Sequence, residues 1–193
     1  MIDHETQIID EWLEPVDRLA LAYAPKPGRT LWLGFLALDR RLERSAVPGA
    51  EPVLAQIKLA WWRDRFAESS LGWPKGEPLL AVLRAWEPER AALQELVDGW
   101  EAREIGEDGG IRLRAARVEA LLALARLAGG GGALQDIRRA AAEWHDRERS
   151  GPAPRLPRTM RPLAVLRGMA VRGEGTGPLA SFAAALRIGL IGR

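Results

Sequence analysis

The chain has 193 residues, of which 47% are hydrophobic and 28% are charged, with a formal net charge of +2 at pH 7. This predicts one globular domain over residues 1–193, with enough apolar material for a substantial core. Cysteine is absent, which excludes a disulfide framework, thiol catalysis and a cysteine-based zinc site. We recognise no signal peptide and no apolar run of the roughly 18 residues that span a membrane, so we expect a cytoplasmic protein.

Charge is distributed unevenly along the chain. Residues 1–110 contain 13 Lys and Arg against 20 Asp and Glu, whereas residues 111–193 contain 15 Arg against 6 acids. The basic half would suit phosphates, an anionic membrane surface or an acidic partner, or it would face the acidic half within the fold. Because the aromatic residues alternate with apolar rather than basic residues, we expect no nucleic-acid binding.

Helical periodicity runs through the whole chain, and no segment alternates as a strand does. Many of the helical patterns begin at a proline, which the first turn of a helix tolerates. We predict helices at residues 4–13, 15–23, 27–44, 52–70, 77–86, 88–105, 111–128, 133–149, 160–172 and 178–191. The sequence therefore predicts an all-α protein.

The predicted helix 27–44 combines apolar side chains with two carboxylates. Side chains at helical spacing form two adjacent stripes, Leu31, Phe35, Leu38 and Leu42 in one, and Trp32, Leu36, Asp39 and Glu43 in the other. Asp39 and Glu43 are four residues apart, so both carboxylates project from one side of the helix. This spacing suits Mg²⁺ held by carboxylates and a diphosphate, and it suits ion pairs with nearby arginines equally well.

The predicted helix 52–70 is apolar on two opposite sides. One side carries Val53, Leu54, Ile57, Ala60 and Trp61, and the other carries Ala55, Leu59, Trp62 and Phe66. We expect such a helix to be packed from both sides inside a bundle. Asp64 falls on the first side, where an unpaired carboxylate would be costly. The position of Asp64 therefore predicts that its carboxylate either pairs with an arginine from another helix or has a functional role.

Other candidate groups are few. Asp98, Glu101 and Glu104 recur at helical spacing, so they would either line a cavity or form a solvated edge. His145 and Asp146 are adjacent, and their side chains diverge by about 100° around a helix. We therefore predict a solvated charged face at His145 rather than a metal site.

Five segments carry a resemblance to a known family. They are LAYAP at 21–25, LALDR at 36–40, QIKLAWWRD at 56–64, LVDGWE at 96–101 and LRIGLIGR at 186–193. Together, in this order and spacing, they resemble the squalene/phytoene synthase family, and the tryptophan-containing segment is the most specific. The resemblance is nearest to the branch that includes a phytoene-synthase-related mitochondrial complex I assembly factor and its α-proteobacterial relatives.

This resemblance implies a single all-α bundle of the isoprenoid-synthase type, shortened here, around a deep cavity. Enzymes of the family join two isoprenyl diphosphates head to head, with two aspartate-rich helices holding Mg²⁺ on the diphosphates. The candidate cavity or diphosphate-binding residues that it implies are Tyr23, Asp39, Arg40, Glu43, Trp62 and Asp98.

Departures from the family pattern argue against its chemistry. After Asp39, the first aspartate-rich motif retains only Glu43 as an acidic position. The second motif should follow the glycines at 129–132, but residues 137–142 contain no carboxylate. Releasing a diphosphate requires Mg²⁺ ions held from both sides. We therefore predict that prenyltransferase activity is lost and that no metal or other cofactor is used.

The leading hypothesis is a catalytically degenerate member of the family, a pseudoenzyme acting as an interaction or assembly factor. The resemblance implies a protein partner in membrane-complex assembly, as in respiratory complex I biogenesis, and peripheral association with the inner face of a bacterial membrane. One alternative is an active Mg²⁺-dependent farnesyl or geranylgeranyl diphosphate transferase, with Asp39, Glu43 and Asp98 as metal ligands. Another is a non-catalytic module that binds an isoprenoid or lipid.

Overall fold

The computed structural model describes residues 12–46, 52–106 and 108–172. Within these ranges all regular structure is helical, which confirms the all-α prediction. The α-helices are α1 (Pro15–Ala22), α2 (Lys26–Ser45), α3 (Pro52–Ala67), α4 (Pro78–Leu83), α5 (Arg90–Ile105), α6 (Ile111–Leu127), α7 (Leu134–Asp146) and α8 (Arg161–Arg172). No helix of the described ranges combines the length and the hydropathy needed to cross a membrane. The prediction for 178–191, and nearly all of that for 4–13, falls outside the described residues.

Prolines mark several helix starts, as the sequence predicts. Pro15 is the first residue of α1, Pro27 the second of α2 and Pro78 the first of α4. The fixed backbone angle of proline suits the first turn, where its missing N–H has no partner to lose. Pro88 differs, because it lies inside the 3-10 helix Arg84–Glu89 and α5 begins only after that helix.

α2 is the central helix of the bundle. Every residue from 31 to 39 is buried, so both predicted stripes of this helix face protein. Two indole N–H groups link α2 to other segments of the chain. Trp32 donates to the carbonyl of Thr159 at 2.9 Å, and Trp86 donates to the carbonyl of Leu31 at 3.1 Å. Each bond satisfies the only hydrogen-bonding group that an indole has.

Aromatic side chains fill the space around α2. The ring of Phe35 lies 6.1 Å from that of Trp32, 6.5 Å from that of Trp86 and 6.2 Å from that of Trp144, measured between centroids. Most buried apolar side chains of the described residues form one continuous cluster. Burial of this apolar area is the main force that holds the helices together.

The remaining helices pack in a connected series around this core. α4 packs against α2, and α5 packs against both α3 and α6. α6 continues to α7, α7 to α8, and α8 to α1. The close approach of α5 and α6 depends on Gly99, since a Cβ atom there would lie 2.9 Å from the Cα of Leu113 and 3.0 Å from the Cβ of Ala116.

Ion pairs join the acidic and basic halves of the chain. Arg117 pairs with Asp39 at 2.9 Å, and Arg126 pairs with Glu89 at 2.6 Å. Some of the arginines in residues 111–172 therefore pair with acids of the first half of the chain. This agrees with the prediction that the basic half faces the acidic half within the fold.

The prediction that α3 is packed from two sides is wrong for the described residues. Its first side is exposed, by 64% at Val53, 49% at Leu54, 60% at Ile57 and 38% at Trp61. Asp64 is exposed on this helix as well, so the buried carboxylate that the pattern predicts is not observed. Only the second side, with Ala55, Leu59, Trp62 and Phe66, is buried. Apolar periodicity shows which side chains favour burial, but it cannot show that another element covers them.

Candidate functional site

Asp39 is the most deeply placed of the candidate carboxylates. Its side chain is buried on α2, where Arg117 of α6 donates to Oδ1 at 3.1 Å and to Oδ2 at 2.9 Å. The indole N–H of Trp100 on α5 donates to Oδ1 at 2.8 Å. A buried carboxylate is stable only when such donors replace water, so these contacts occupy both oxygens and join three helices.

Arg117 lies between two aromatic rings beside a histidine. Its guanidinium carbon is 5.0 Å from the ring centroid of Trp100 and 5.2 Å from that of Trp144, within the range of cation–π attraction. It also lies 3.3 Å from Nδ1 of His145. Burial, with the positive charge of Arg117, lowers the pKa of His145 to about 4. At neutral pH the ring is therefore uncharged, and its Nδ1 accepts a hydrogen bond from the arginine.

His145 corrects one expectation. Its ring is partly buried among charged groups of α6, so it does not lie on the solvated charged face predicted for it from the sequence. Asp146 is exposed and accepts hydrogen bonds from Arg114 at 2.7 Å. The two adjacent residues therefore diverge as predicted, with one side chain turned inward and the other outward.

Arg40 and Glu43 are in direct contact. Arg40 donates to Oε2 of Glu43 at 2.7 Å and to Oδ2 and Oδ1 of Asp17 at 2.7 and 3.2 Å. Asp17 is buried at the start of α1, and this burial raises its pKa even though Arg40 opposes the shift. Glu43 is thus turned toward Arg40, whereas Asp39, four residues earlier, contacts Arg117. The helical spacing of these two acids does not yield a shared ligand site.

Asp98 belongs to another cluster, between α5 and α3. Arg63 donates to Oδ1 of Asp98 at 2.7 Å and also bonds Glu101. Asp98 lines a surface groove between α5, α6 and α7 with a volume of about 610 Å³. The described part of its lining contains as many arginines as acids. Of the three acids at this spacing, only Asp98 lines the groove, whereas Oε2 of Glu104 is buried. The three acids therefore form neither a single cavity lining nor a single solvated edge.

The two aromatic candidates, Trp62 and Tyr23, both pack in or against the hydrophobic core. Trp62 is 3% exposed and stacks on Phe66, with ring centroids 5.7 Å apart. Tyr23 is the C-terminal cap of α1 and packs, half-buried, against the core. Among the six candidates, the structure therefore joins Arg40 with Glu43 and places the others in separate environments. In the described ranges, no three His, Asp or Glu side chains come together in a group that could hold a metal ion.

The exposed side of α3 forms, with α2, a basic and apolar groove. We call Val53, Leu54, Ile57 and Trp61 the α3 apolar face. Beside it lies a groove of about 620 Å³, the α2–α3 groove, lined by Arg41, Arg44, Ser45, Ile57, Lys58, Trp61, Trp62 and Glu77. The described part of its lining contains three cations, two tryptophans and one acid. Exposed apolar surface with polar neighbours is a common feature of interaction and ligand-binding sites.

The sequence predicts the ion pair of Glu43 with a nearby arginine, which is Arg40, but it gave no prediction of Arg117 and Arg63 as the partners of Asp39 and Asp98. Arg117 lies in an otherwise apolar part of α6, between Ala116 and Val118 on the buried side. An arginine at helical spacing with apolar residues was the available signal, because it requires a buried anionic partner. Arg63 gave no comparable signal, since a polar seam on a helix is also what solvent exposure produces.

Comparison of the chain with protein families, with curated proteins and with solved structures gave no match.

Proposed function

We propose that this chain is a non-catalytic interaction factor that resembles the squalene/phytoene synthase family and assists the assembly of a membrane complex at the inner face of a bacterial membrane. The observation that carries the proposal is the α3 apolar face, four large apolar side chains exposed on one side of a helix. Soluble proteins keep such contiguous patches mainly where a partner covers them. The choice of respiratory complex I as the assembly rests on the sequence resemblance.

The engagement of the candidate acids supports a role without catalysis. Arg117 and Trp100 occupy Asp39, Arg40 binds Glu43, and Arg63 binds Asp98. A metal would have to displace these charge-assisted hydrogen bonds before it gained the same oxygens. The protein's own cations thus take the places at these three acids that Mg²⁺ would take in a transferase.

Copurification tests the proposal. The tagged full chain should retain specific membrane-complex subunits, identified by mass spectrometry, and should lose them when Val53→Lys and Ile57→Lys are combined. Ile111→Lys is the matched control, because Ile111 is 71% exposed but lies on α6, outside the α3 apolar face. Equal recovery with all three proteins would remove the basis of the proposal.

The transferase alternative has its own readout. Mg²⁺-dependent consumption of farnesyl diphosphate by the wild-type chain, abolished by Glu43→Gln, would replace the interaction factor with an enzyme. Thermal stabilisation by farnesyl diphosphate without Mg²⁺ would instead favour the isoprenoid-binding module, since a ligand that binds only the native state raises its stability. We expect neither result.

A further inference from the structure

We propose that the α2–α3 groove and the α3 apolar face together bind one amphipathic helix of a partner protein whose polar side is acidic. This inference rests on the proposed function and names the chemistry of its partner. The apolar side of the incoming helix would contact α3, and its acids would contact the cations of the groove.

The apolar half of the site has the spacing of a helix-binding surface. Val53, Ile57 and Trp61 are each four residues apart, so they form a single stripe about 12 Å long. A partner helix laid along this stripe would contribute apolar residues at the same spacing. Trp61 is held in place because its ring lies edge-on to that of the buried Trp62, with centroids 4.9 Å apart. A fixed, partly exposed tryptophan is typical of the centre of an interface.

The charged half of the site is held in position by Trp12, which lies three residues before α1. The guanidinium carbon of Arg41 lies 4.5 Å from the ring centroid of Trp12, and Arg44 donates to the carbonyl of Trp12 at 3.1 Å. Both arginines therefore lie on the same side of the groove, with Lys58 across from them on α3. Side chains that are already ordered lose less entropy on binding. Among the described residues of the lining, Glu77 is the only acid, so the groove favours an anionic partner.

Charge favours an acidic helix of another protein over the other possible occupants of the groove. A second copy of this chain packed symmetrically through the same groove would bring the same cations against each other. Residues 178–193 of the chain itself contain Arg187 and Arg193 and no acid, so they would meet the groove with like charge. A lipid bilayer would meet the exposed side chains of α3, but its surface could not enter the groove as far as Trp62.

Selection of peptides against the full chain tests this inference. The probe is a display library of helical peptides about five turns long, with leucines fixed at i, i+3, i+4 and i+7 and every other position randomised. We expect the recovered peptides to be enriched in Asp and Glu over Lys and Arg. We expect Ile57→Lys to weaken their binding at least about tenfold, measured by fluorescence anisotropy. Combining Arg44→Glu with Lys58→Glu should reverse the charge preference.

The outcomes separate this inference from the proposed function. Recovered peptides without a charge preference, or with the same affinity for the Ile57→Lys chain, would overturn the acidic helix. Vesicles containing phosphatidylserine that bind through the α3 apolar face, when no peptide is recovered, would replace the helix with a lipid surface. If copurification still depends on Val53 and Ile57 in these cases, the proposed function stands and only the partner chemistry fails. The Ile57→Lys chain should keep the wild-type thermal midpoint, because Ile57 is exposed. The Arg44→Glu, Lys58→Glu chain loses the Arg44 bond to the Trp12 carbonyl, so its midpoint should fall, and its peptide binding is measured well below that midpoint.

Discussion

The contacts of Asp39 show which of the roles allowed by the sequence this residue has in the structure. In the sequence, an acid four residues before another acid fits a metal site as well as an ion pair. In the fold, Asp39 is buried between Arg117 and Trp100, and its charge is balanced before any ligand arrives. The cost of removing this carboxylate from water is offset only while the arginine stays beside it.

Loss of the Asp39 charge should therefore be expensive. Asp39→Asn leaves the cation of Arg117 buried without its counterion, and we expect the free energy of unfolding to fall by about 3 kcal/mol. Asp146→Asn is the matched control, because Asp146 also pairs with an α6 arginine but the two side chains are 44% and 36% exposed. There we expect a loss of less than about 1 kcal/mol. Urea denaturation followed by circular dichroism measures both, and equal losses would contradict the structural role of Asp39.

His145 should make stability depend on pH. The pKa of an unfolded histidine is about 6.5, whereas burial and Arg117 lower it to about 4 in the folded chain. Between these values the unfolded state binds more protons, so the free energy of unfolding should decrease as the pH falls from 6.5 to 4 and this contribution should level off below 4. The full effect is at most about 3 kcal/mol.

Comparison with His145→Gln isolates that effect. Glutamine keeps an acceptor for Arg117 but does not titrate, so its unfolding free energy should vary less between pH 7 and pH 4 than that of the wild type. Asp146, Arg114 and Arg103 remain in both proteins, and their contributions cancel in the difference. Identical pH profiles from urea titrations would mean that His145 is as accessible to protons in the folded state as in the unfolded one.

At the scale of the elements, the sequence predicts helices well and their surroundings less well. The starts of α1, α2 and α4 follow from Pro15, Pro27 and Pro78, because a local backbone preference is encoded by the residue itself. α3 was also predicted to be a helix, but one of its two apolar sides is exposed. Burial depends on which distant helix arrives there, and no local pattern contains that information.

The contact between α5 and α6 gives a prediction about one backbone position. Gly99→Ala would place a Cβ atom 2.9 Å from the Cα of Leu113, so the two helices would have to separate. We expect a loss of about 1–3 kcal/mol, as for other overpacked cores. In Gly28→Ala, another buried helical position, the new Cβ would lie 3.8 Å from that of Ala128, an ordinary contact. That variant should be as stable as the wild type, or slightly more so.

At the scale of the whole molecule, the sequence suggested candidate residues, but it did not show that they lie far from one another in the fold. Asp39, Glu43 and Asp98 all occur on helices that the pattern predicts, and a shared cavity required the three to converge. They are engaged instead by Arg117, Arg40 and Arg63, which belong to three different helices. Convergence is a property of helix packing, so a motif alone cannot establish a site.

The continuity of the core predicts one cooperative unfolding transition. Most buried apolar side chains of the described residues form a single cluster, and the Asp39–Arg117 pair joins α2 to a helix far along the chain. Tryptophan fluorescence reports on rings in separate helices, such as Trp32, Trp100 and Trp144, whereas far-ultraviolet circular dichroism reports on all helices together. If the chain unfolds as one unit, the two signals should have the same midpoint in urea, and Asp39→Asn should shift both by the same amount. Separate midpoints would show that the described helices unfold as more than one unit, and that the predicted single domain over residues 1–193 is wrong.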